Sequence, residues 1–248
     1  MRIAIAGGTG IVGRHVVDAV TAAGHTPVTV ARSHGVDLLT GSGLDAALAG
    51  VDTVIDVTNV MSLREKVATA FFETAGRNLL AAEEKAGVGH HVTLSIVGVD
   101  RVPGYGYYQA KLRQEQLLQE GRIPWTVLRA TQFHEFAQQI LSQVPGPLAL
   151  VPRMRCQPVA AREVAHRLVE LATGPAQERA PELAGPKEEQ LVDMARRLLR
   201  AQGRHRLLIP VKFPGATGAA MTGEALLPTE AGPRGRQTFG QWLDEAVG

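Results

Sequence analysis

Three side chains in the first half of the sequence have the types and spacing needed to move a proton at a carbonyl group. Tyr107 and Lys111 are four residues apart in a segment with helical character, so they share one face of the predicted helix. An ammonium beside a phenol stabilises the phenolate, so we expect a lowered pKa for Tyr107 and a usable proton donor or acceptor. Ser95 lies at the end of a predicted strand and is placed to donate a hydrogen bond to a substrate carbonyl oxygen.

A glycine-rich turn near the start of the chain gives this chemistry a cofactor site. Gly7, Gly10 and Gly13 lie between an apolar strand at residues 3–6 and a helical pattern at residues 11–23. Gly7 permits the tight turn, Gly10 leaves room for a pyrophosphate on the helix N-terminus, and Gly13 lets the helix pack closely on the strand. The whole turn is therefore predicted to contact a dinucleotide, through Gly7, Gly8, Thr9, Gly10, Ile11, Val12 and Gly13.

The end of the next predicted strand bears on the choice between NADP and NAD. Residues 28–32 form that strand, and Arg32 and Ser33 stand where a dinucleotide fold places the adenosine ribose. An acidic residue there binds the 2′-hydroxyl of NAD, whereas a cation and a hydroxyl donor suit a 2′-phosphate. We therefore expect a preference for NADP(H), with Asp37 beside the adenine; the alternative is that Arg32 is an ordinary solvated residue.

These residues need a sheet to position them, and the order of the predicted elements supplies one. Apolar runs predict strands at residues 3–6, 28–32, 37–40, 51–57, 92–97 and 125–128, and periodic segments predict helices at residues 11–23, 43–50, 63–86 and 107–121. Such alternation predicts a doubly wound, mostly parallel α/β sheet of the Rossmann type. Thr58 and Asn59 follow a buried run and are expected at the carboxyl edge of this sheet, where ligands bind. Asp56 lies inside the run and is expected to have a hydrogen-bonding partner in the core.

The pattern changes from residue 145 onward. Shorter strands are predicted at residues 148–151, 155–159 and 207–211, with helices at residues 161–172, 187–202 and 238–247. We predict a dinucleotide-binding core at residues 1–144 and a small substrate-capping region at residues 145–248 that is interleaved with the core. Residues 213–227 lack periodicity and are a candidate mobile lid.

Composition excludes several other classes of protein. The 248 residues are 45% hydrophobic and 20% charged, with a formal net charge of +2 and no long run of Lys or Arg, so we expect neither a nucleic-acid nor a membrane-surface partner. Cys156 is the single cysteine, which fits a reducing compartment, and since a strand is predicted from residue 2 we expect no signal peptide. A cytoplasmic location is expected. Adjacent His90 and His91 point to opposite faces of a strand, so we predict no metal site.

The sequence resembles the short-chain dehydrogenase/reductase superfamily, in its extended or atypical branch with NmrA-like NAD(P)-binding proteins. The residues that carry the resemblance are 6–13, Ser95 and the Tyr-x-x-x-Lys of 107–111, with similar pieces at 125–133, 158–165 and 183–186. The resemblance implies that Tyr107 is the acid/base, that Lys111 binds the nicotinamide ribose and tunes the tyrosine, and that Ser95 orients the carbonyl. It also places the nicotinamide near Ala130 and Thr131 and a substrate pocket at Val97, Gln132, Phe133 and Phe136.

The predicted function is therefore NADP(H)-dependent transfer of hydride between the nicotinamide and a small carbonyl or alcohol substrate. Two alternatives remain open from the sequence. One is reduction of quinones, and the other is a non-catalytic NADP(H) sensor, because NmrA-like relatives often lack the tyrosine. The long helix at residues 63–86 would suit pairing of two chains in a homodimer.

Overall fold

A six-stranded sheet is the centre of the first of two units into which the chain divides. The computed structural model describes residues 1–60, 62, 64–143 and 146–247. The first unit comprises residues 1–95, 105–129 and 161–180. Its strands are β1 (Arg2–Ala6), β2 (Thr26–Val30), β3 (Thr53–Asp56), β4 (His90–Ile96), β5 (Trp125–Ala130) and β8 (Glu178–Arg179).

The order of these strands is β2-β1-β3-β4-β5-β8, and the β1–β2, β1–β3, β3–β4 and β5–β8 pairings are all parallel. The chain runs from β1 to β2 in one direction and later from β3 to β4 in the other. The direction therefore reverses beside β1, and open α/β sheets bind ligands at such a point, outside the carboxyl ends of the strands. The predicted Rossmann-type sheet is confirmed.

Burial on both faces explains why these segments are strands. Ile3, Ala4, Ile5 and Ala6 are all 0% exposed, and all four residues of β3 are buried. A parallel sheet covered by helices on both sides selects such continuous apolar runs rather than alternating ones. The central strands are therefore readable from the sequence without any turn signal.

Five helices surround this sheet in the described part of the first unit: α1 (Ile11–Ala22), α2 (Leu44–Leu48), α3 (Glu65–Ala86), α4 (Gly106–Glu120) and α6 (Ala161–Ala172). Helix α1 packs against α6, and α3 packs against α2 and α4. Because parallel crossovers are right-handed, the reversal of direction places α1 and α3 on opposite faces of the sheet. The predicted start of α3 at residue 63 lies outside the described residues, and its end at Gly87, where φ is +72°, is confirmed.

The strand predicted at residues 37–40 is wrong, because these residues form a turn. A side-chain oxygen of Asp37 accepts a hydrogen bond from the Leu39 amide at 2.8 Å, and the Asp37 carbonyl accepts one from Gly41 at 2.8 Å. An aspartate that bonds the backbone two residues ahead offers the chain an alternative to a strand ladder. The Asn78 side chain also donates to the Leu38 carbonyl, at 2.8 Å, and holds the turn against α3.

The second unit comprises residues 96–104, 130–160 and 181–248. Strand β6 (Leu148–Pro152) pairs in parallel with β10 (Leu207–Val211), and β7 (Arg155–Cys156) pairs antiparallel to β9 (Glu189–Gln190). The described helices of this unit are α5 (Phe136–Gln143), α7 (Leu191–Ala201), α8 (Gly215–Thr222) and α9 (Phe239–Val247). Helix α7 packs against α5, α9 and β6.

Two expectations for this second unit need correction. The segment at residues 213–227 is not aperiodic throughout, since α8 forms inside it, and the strand predicted at residues 155–159 ends at Cys156. The predicted division at residues 144 and 145 falls outside the described residues. The assignment of 1–144 as core and 145–248 as a substrate cap stays a prediction.

Candidate functional site

The glycine turn is shaped by close approaches of backbone to backbone. Gly7 has φ of +82°, and its amide donates to the carbonyl of Val30 at 3.0 Å. A Cβ on Gly7 would lie 3.0 Å from the Val57 carbonyl oxygen, and one on Gly13 would lie 2.1 Å from the Gly7 carbonyl oxygen. Because no side chain fits such distances, Gly7 makes the turn and Gly13 the close helix packing, as the sequence predicts.

The N-terminus of α1 is open to a ligand. Gly10 is its N-cap residue in an extended conformation, with no side chain bonded to the end of the helix, and Thr9 and Gly10 are exposed. The first amides of a helix have no acceptor within the helix, and its dipole favours an anion at this end. A Cβ on Gly10 would stand 3.2 Å from the Gly7 carbonyl oxygen. The turn therefore fits the pyrophosphate of a dinucleotide.

The register of β1 and β2 places the predicted ribose residues near this turn. Ala6 pairs with Val30, so the two strands end side by side. Arg32 and Ser33 follow in a short 3₁₀ turn and are exposed, and the Ser33 hydroxyl lies 3.1 Å from His34 Nδ1. A guanidinium and a hydroxyl at this place fit a 2′-phosphate, whereas the carboxylate of Asp37 is bonded within its own turn.

A chain of buried hydrogen bonds leads from the sheet edge to Lys111. Asp56 accepts from the Thr58 amide at 2.8 Å through one carboxylate oxygen and from Gln114 Nε2 at 2.7 Å through the other. Lys111 Nζ in turn donates to Gln114 Oε1 at 2.5 Å and to the Leu94 carbonyl at 2.7 Å. All three side chains are less than 5% exposed. The core partner expected for Asp56 is therefore Gln114, which had no signal in the sequence.

Burial dominates the charge state of Lys111. It lowers the pKa of the ammonium to about 8, against the opposing attraction of Asp56 and Glu115. Glu115 itself is paired with Arg129, whose Nε and Nη2 donate to it at 3.0 and 2.8 Å. The ammonium also stands 5.0 Å above the centre of the Phe72 ring. Lys111 is therefore a buried group whose charge state depends on the carboxylates near it.

Tyr107 behaves differently from the sequence-based expectation. Its hydroxyl donates to Asn59 Oδ1 at 2.7 Å, and within the described residues it makes no hydrogen bond to Lys111. Burial raises the pKa of the phenol, nearby Tyr105 adds to this, and the bond to Asn59 opposes it. The expected lowering of the Tyr107 pKa is wrong because the ammonium is directed at Leu94 and Gln114. Asn59, predicted to contact cofactor, is thus the hydrogen-bonding partner of the phenol.

Ser95 is a buried serine near the end of a central strand. It is 3% exposed near the carboxyl end of β4, and its hydroxyl has no hydrogen-bond partner in the described part of the chain. Buried hydroxyls are nearly always paired in folded proteins, so the unpaired Ser95 hydroxyl is an exception to that rule. A carbonyl oxygen of a substrate or cofactor would satisfy this hydroxyl.

The remaining predicted residues lie in the second unit and are held by backbone contacts there. The Val97 amide donates to the Ala130 carbonyl at 2.9 Å, and the Thr131 hydroxyl donates to the Gln157 carbonyl at 2.6 Å. Gln132 is 9% exposed, and both polar atoms of its amide lack partners within the described residues. Phe133 and Phe136 are half-buried. Gln132 is therefore the one predicted pocket residue with unused hydrogen-bonding capacity among the described ones.

The paired histidines have structural partners. His90 Nε2 lies 2.9 Å from the Thr126 hydroxyl, and His91 Nδ1 lies 2.9 Å from both carboxylate oxygens of Glu83. Among residues 1–60, 62, 64–143 and 146–247, no group of three or more His, Cys, Asp or Glu could hold a metal ion. Nor does any helix within those ranges combine the length and apolarity needed to cross a bilayer.

Comparison with solved structures supports this assignment of the fold. A short-chain dehydrogenase/reductase superfamily protein from Agrobacterium tumefaciens with bound NAD matches with a TM-score of 0.70 and 18% identity, over 100% of this chain and 96% of that one. An NADPH-dependent quinone oxidoreductase from Escherichia coli, in complex with NADPH, matches with a TM-score of 0.67 and 17% identity, over 99% and 100%. The fold is the one that these cofactor-binding proteins share.

Sequence comparison carries the assignment further. The photosystem II assembly factor Ycf39 from Synechocystis is 27% identical over 162 residues, which are 60% of this chain and 49% of that protein. The chain thus spans about half the length of this curated relative. The model of the NAD(P)H-binding family matches residues 7–175, from the glycine turn to the end of α6 and beyond. Since this match covers more than half of the sequence, the protein belongs to the NAD(P)H-binding family and has the short-chain dehydrogenase/reductase fold.

Proposed function

We propose that the protein is an NADP(H)-dependent oxidoreductase that transfers hydride between the nicotinamide and a small carbonyl or alcohol substrate. The observation that carries the proposal is the buried ammonium of Lys111, connected through Gln114 and Asp56 to Thr58 at the edge of the glycine turn. Burying a charge is costly, and a fold without a use for it can place an apolar side chain there.

The cofactor is assigned to residues that fit its parts. The pyrophosphate would lie on the amides of the glycine turn, the 2′-phosphate against Arg32 and Ser33, and the nicotinamide ribose against Lys111. The other proposed contacts are Asp37, Thr58, Asn59, Ala130 and Thr131. When bound, the cofactor supplies the hydride, and the chain's own residues supply binding, orientation and the proton.

Tyr107 and Ser95 have separate tasks in this proposal. The raised pKa of Tyr107 keeps its phenol protonated at neutral pH, which is the form that reduction of a carbonyl needs. Ser95 donates its unpaired hydroxyl to the carbonyl oxygen and stabilises the negative charge that develops there. Val97, Gln132, Phe133 and Phe136 are proposed to contact the rest of the substrate.

The experiment is NADPH consumption with a panel of aldehydes, ketones and quinones, comparing wild type, Tyr107→Phe and the control Tyr105→Phe. Loss of a positioned proton donor costs roughly 10²- to 10⁴-fold, so we expect turnover of aldehydes and ketones to fall by that factor in Tyr107→Phe only. Equal loss in both variants would indicate damage to the tyrosine cluster rather than loss of an acid.

Quinone reduction is a second candidate, favoured by one contact. The Tyr107 proton is directed at Asn59, and a quinone accepts hydride without needing this phenol as an acid. Turnover of quinones alone that survives Tyr107→Phe would support this candidate. Tight NADPH binding with no turnover of any compound, in wild type and variant alike, would contradict both and support a sensor of the cofactor.

A further inference from the structure

A cavity of about 620 Å³ lies within the second unit, and its lining is rich in arginine. The charged lining residues are Arg101, Arg155, Arg234, Glu188 and Glu224. Three guanidiniums face two carboxylates, so the lining carries a formal charge of +1. A volume of this size accommodates a small organic molecule.

Only one of the three arginines is neutralised. Arg155 donates to Glu188 at 2.8 Å through Nε, and its Nη1 lies 3.3 Å from Glu224. Arg101 and Arg234 bond to backbone carbonyls instead, and neither has a carboxylate partner among the described residues. Arg101 Nη2 donates to Leu227 at 3.0 Å, and Arg234 Nη1 donates to Gly232 and Pro233 at 3.2 Å. Each guanidinium has five N–H groups, so most of the donors on both remain available.

One wall of the cavity is held in place by close backbone contacts and hydrogen bonds within the second unit. A Cβ on Gly98, where φ is +76°, would lie 1.8 Å from the Ala225 carbonyl oxygen, so the two backbones are in close contact. Arg101 fastens the same wall through its bond to Leu227, and its own amide donates to Gly98 at 2.9 Å. The guanidinium of Arg101 is thereby held by its surroundings before any ligand arrives.

The floor of the cavity is connected to the strand that leads to the predicted nicotinamide residues. Gln157 lines the cavity and donates through Nε2 to the Gly185 carbonyl at 2.7 Å. Its own carbonyl accepts the Thr131 hydroxyl at 2.6 Å. Thr131 directly follows β5, and α/β sheets bind ligands beyond the carboxyl ends of their strands. The cavity is therefore linked, within the second unit, to a residue that is predicted to contact the nicotinamide.

We infer that this cavity selects substrates that carry an anionic group, a carboxylate or a phosphate, which Arg101 and Arg234 bind. The inference rests on the proposed oxidoreductase function and names its substrate class: small carbonyl compounds with a negative charge. A planar guanidinium pairs with a carboxylate or phosphate through two parallel hydrogen bonds, which are stronger than bonds between neutral groups. Neutral carbonyl compounds of the same shape would leave these two cations unpaired.

The test compares two aldehydes that differ in one charge, 4-carboxybenzaldehyde and methyl 4-formylbenzoate, by their kcat/KM with NADPH. Hydrogen bonds to charged groups stabilise a complex more than bonds between neutral groups do. We therefore expect the kcat/KM of wild type to be roughly 10- to 100-fold higher for the carboxylate than for the ester. The double variant Arg101→Gln/Arg234→Gln should bring this ratio close to one, and the ratio is insensitive to any loss of turnover that both aldehydes share. A Tm equal to that of wild type shows that the variant is folded.

Two further variants sharpen the result. Arg101→Lys/Arg234→Lys keeps the charge and should retain part of the preference. Arg196→Gln is the matched control, because Arg196 pairs with Asp193 on α7 and is not among the lining residues. Its ratio should equal that of the wild type. Equal use of the two aldehydes by wild type, or an undiminished preference in the double Gln variant, overturns the inference and leaves the proposed function standing.

Failure of the proposed function gives a different pattern. Calorimetry with 4-carboxybenzaldehyde in the presence of NADP⁺ measures binding without turnover. Binding that is lost in the double Gln variant, with no NADPH consumed by wild type, supports the anion site and contradicts the reductase. Absence of binding of both aldehydes by wild type contradicts the anion site.

Discussion

The hydrogen-bond chain from Asp56 to Lys111 leads to a sharp prediction for the variant Asp56→Asn. Asparagine has the same shape, but it turns one acceptor oxygen into a donor. If the side-chain oxygen of the asparagine still accepts from the Thr58 amide, its side-chain nitrogen lies beside Gln114 Nε2, which donates to Asp56 in wild type. Two donors then face each other. If the Gln114 amide rotates by 180°, its oxygen accepts from the asparagine, but its nitrogen then faces the Lys111 ammonium, which is also a donor. While Lys111 is protonated, one buried donor therefore stays unpaired, and under that condition we expect a loss of about 1–3 kcal/mol in stability.

The same change acts on the charge of Lys111. The two hydrogen bonds of the chain are 2.5 and 2.7 Å long, and adding the width of the amide separates the charges by roughly 7 Å. At an effective dielectric constant near 20, a unit charge at that distance contributes about 2 kcal/mol, which corresponds to a change of roughly one to two in pKa. Since Asp56 raises the pKa of Lys111 against burial, its removal moves the value from about 8 to neutral pH or slightly below it.

Other charged groups bear on this pair and set the choice of control. Glu115, paired with Arg129, also favours the Lys111 ammonium, and the Glu83–His91 pair faces Asp56. Glu115 and Arg129 are unchanged in the variant, whereas removal of the Asp56 charge also lowers the pKa values of Glu83 and His91, to which it contributes. Asp45→Asn is the matched control, because Asp45 forms an exposed ion pair with Lys85.

The assay is the dissociation constant of NADPH, measured by fluorescence between pH 6 and pH 9. We expect wild-type affinity to weaken as the pH rises through about 8, because the Lys111 ammonium, which is proposed to bind the ribose, loses its proton. In Asp56→Asn this weakening should begin one to two pH units lower, and in Asp45→Asn it should not move. Titration of the ligand itself is common to all three proteins. Superimposable pH profiles from folded wild type and Asp56→Asn would refute the reasoning.

Three further predictions follow from single contacts. Arg32→Ala should narrow the affinity ratio of NADPH over NADH by roughly 10-fold or more, since the variant cannot form the charge-assisted bond that we propose to the 2′-phosphate. A ratio equal to that of wild type and of the exposed-site control Arg122→Ala would contradict the assignment. Ser95→Ala should lower kcat roughly 10- to 1000-fold, because a hydrogen bond to the developing negative charge is removed. The Tm should not fall, because the hydroxyl has no hydrogen-bond partner among the described residues. A lower Tm with unchanged kcat would contradict the proposed role. Gly13→Ala should lower the free energy of unfolding, measured by chemical denaturation, by about 1–3 kcal/mol or more, because its Cβ would stand 2.1 Å from the Gly7 oxygen. Stability equal to wild type would contradict the packing.

Regular elements were readable from the sequence where one physical signal dominated. Continuous apolar runs such as residues 3–6 can be satisfied only by burial on both faces, so β1 and β3 were predictable. The turn at Asp37 was missed because a short polar side chain competes with the strand ladder for the backbone amides. Helix α8 was missed because its residues, rich in glycine and alanine, have no apolar face to produce a period.

The charge states of the candidate site were not predictable in the same way. The spacing of Tyr107 and Lys111 was correct for one helix face, but spacing does not say what surrounds each group. Long-range partners decided the outcome: Asn59 is 48 residues from Tyr107, and Asp56 is 58 residues from Gln114. The pKa of a buried group depends on desolvation and on the groups that the fold brings to it, so both values required the tertiary structure.

The sequence alone determined the sheet, the glycine turn with its helix, and the residue types available for catalysis. These are local properties, because steric demands on glycine and the burial of apolar runs act over a few neighbouring residues. The tertiary structure alone decided that Lys111 is buried and held by Gln114, that Tyr107 donates to Asn59, and that arginines from residues 101, 155 and 234 line one cavity. Contacts between residues far apart in the chain arise only when the fold closes, since nothing in their local spacing requires them.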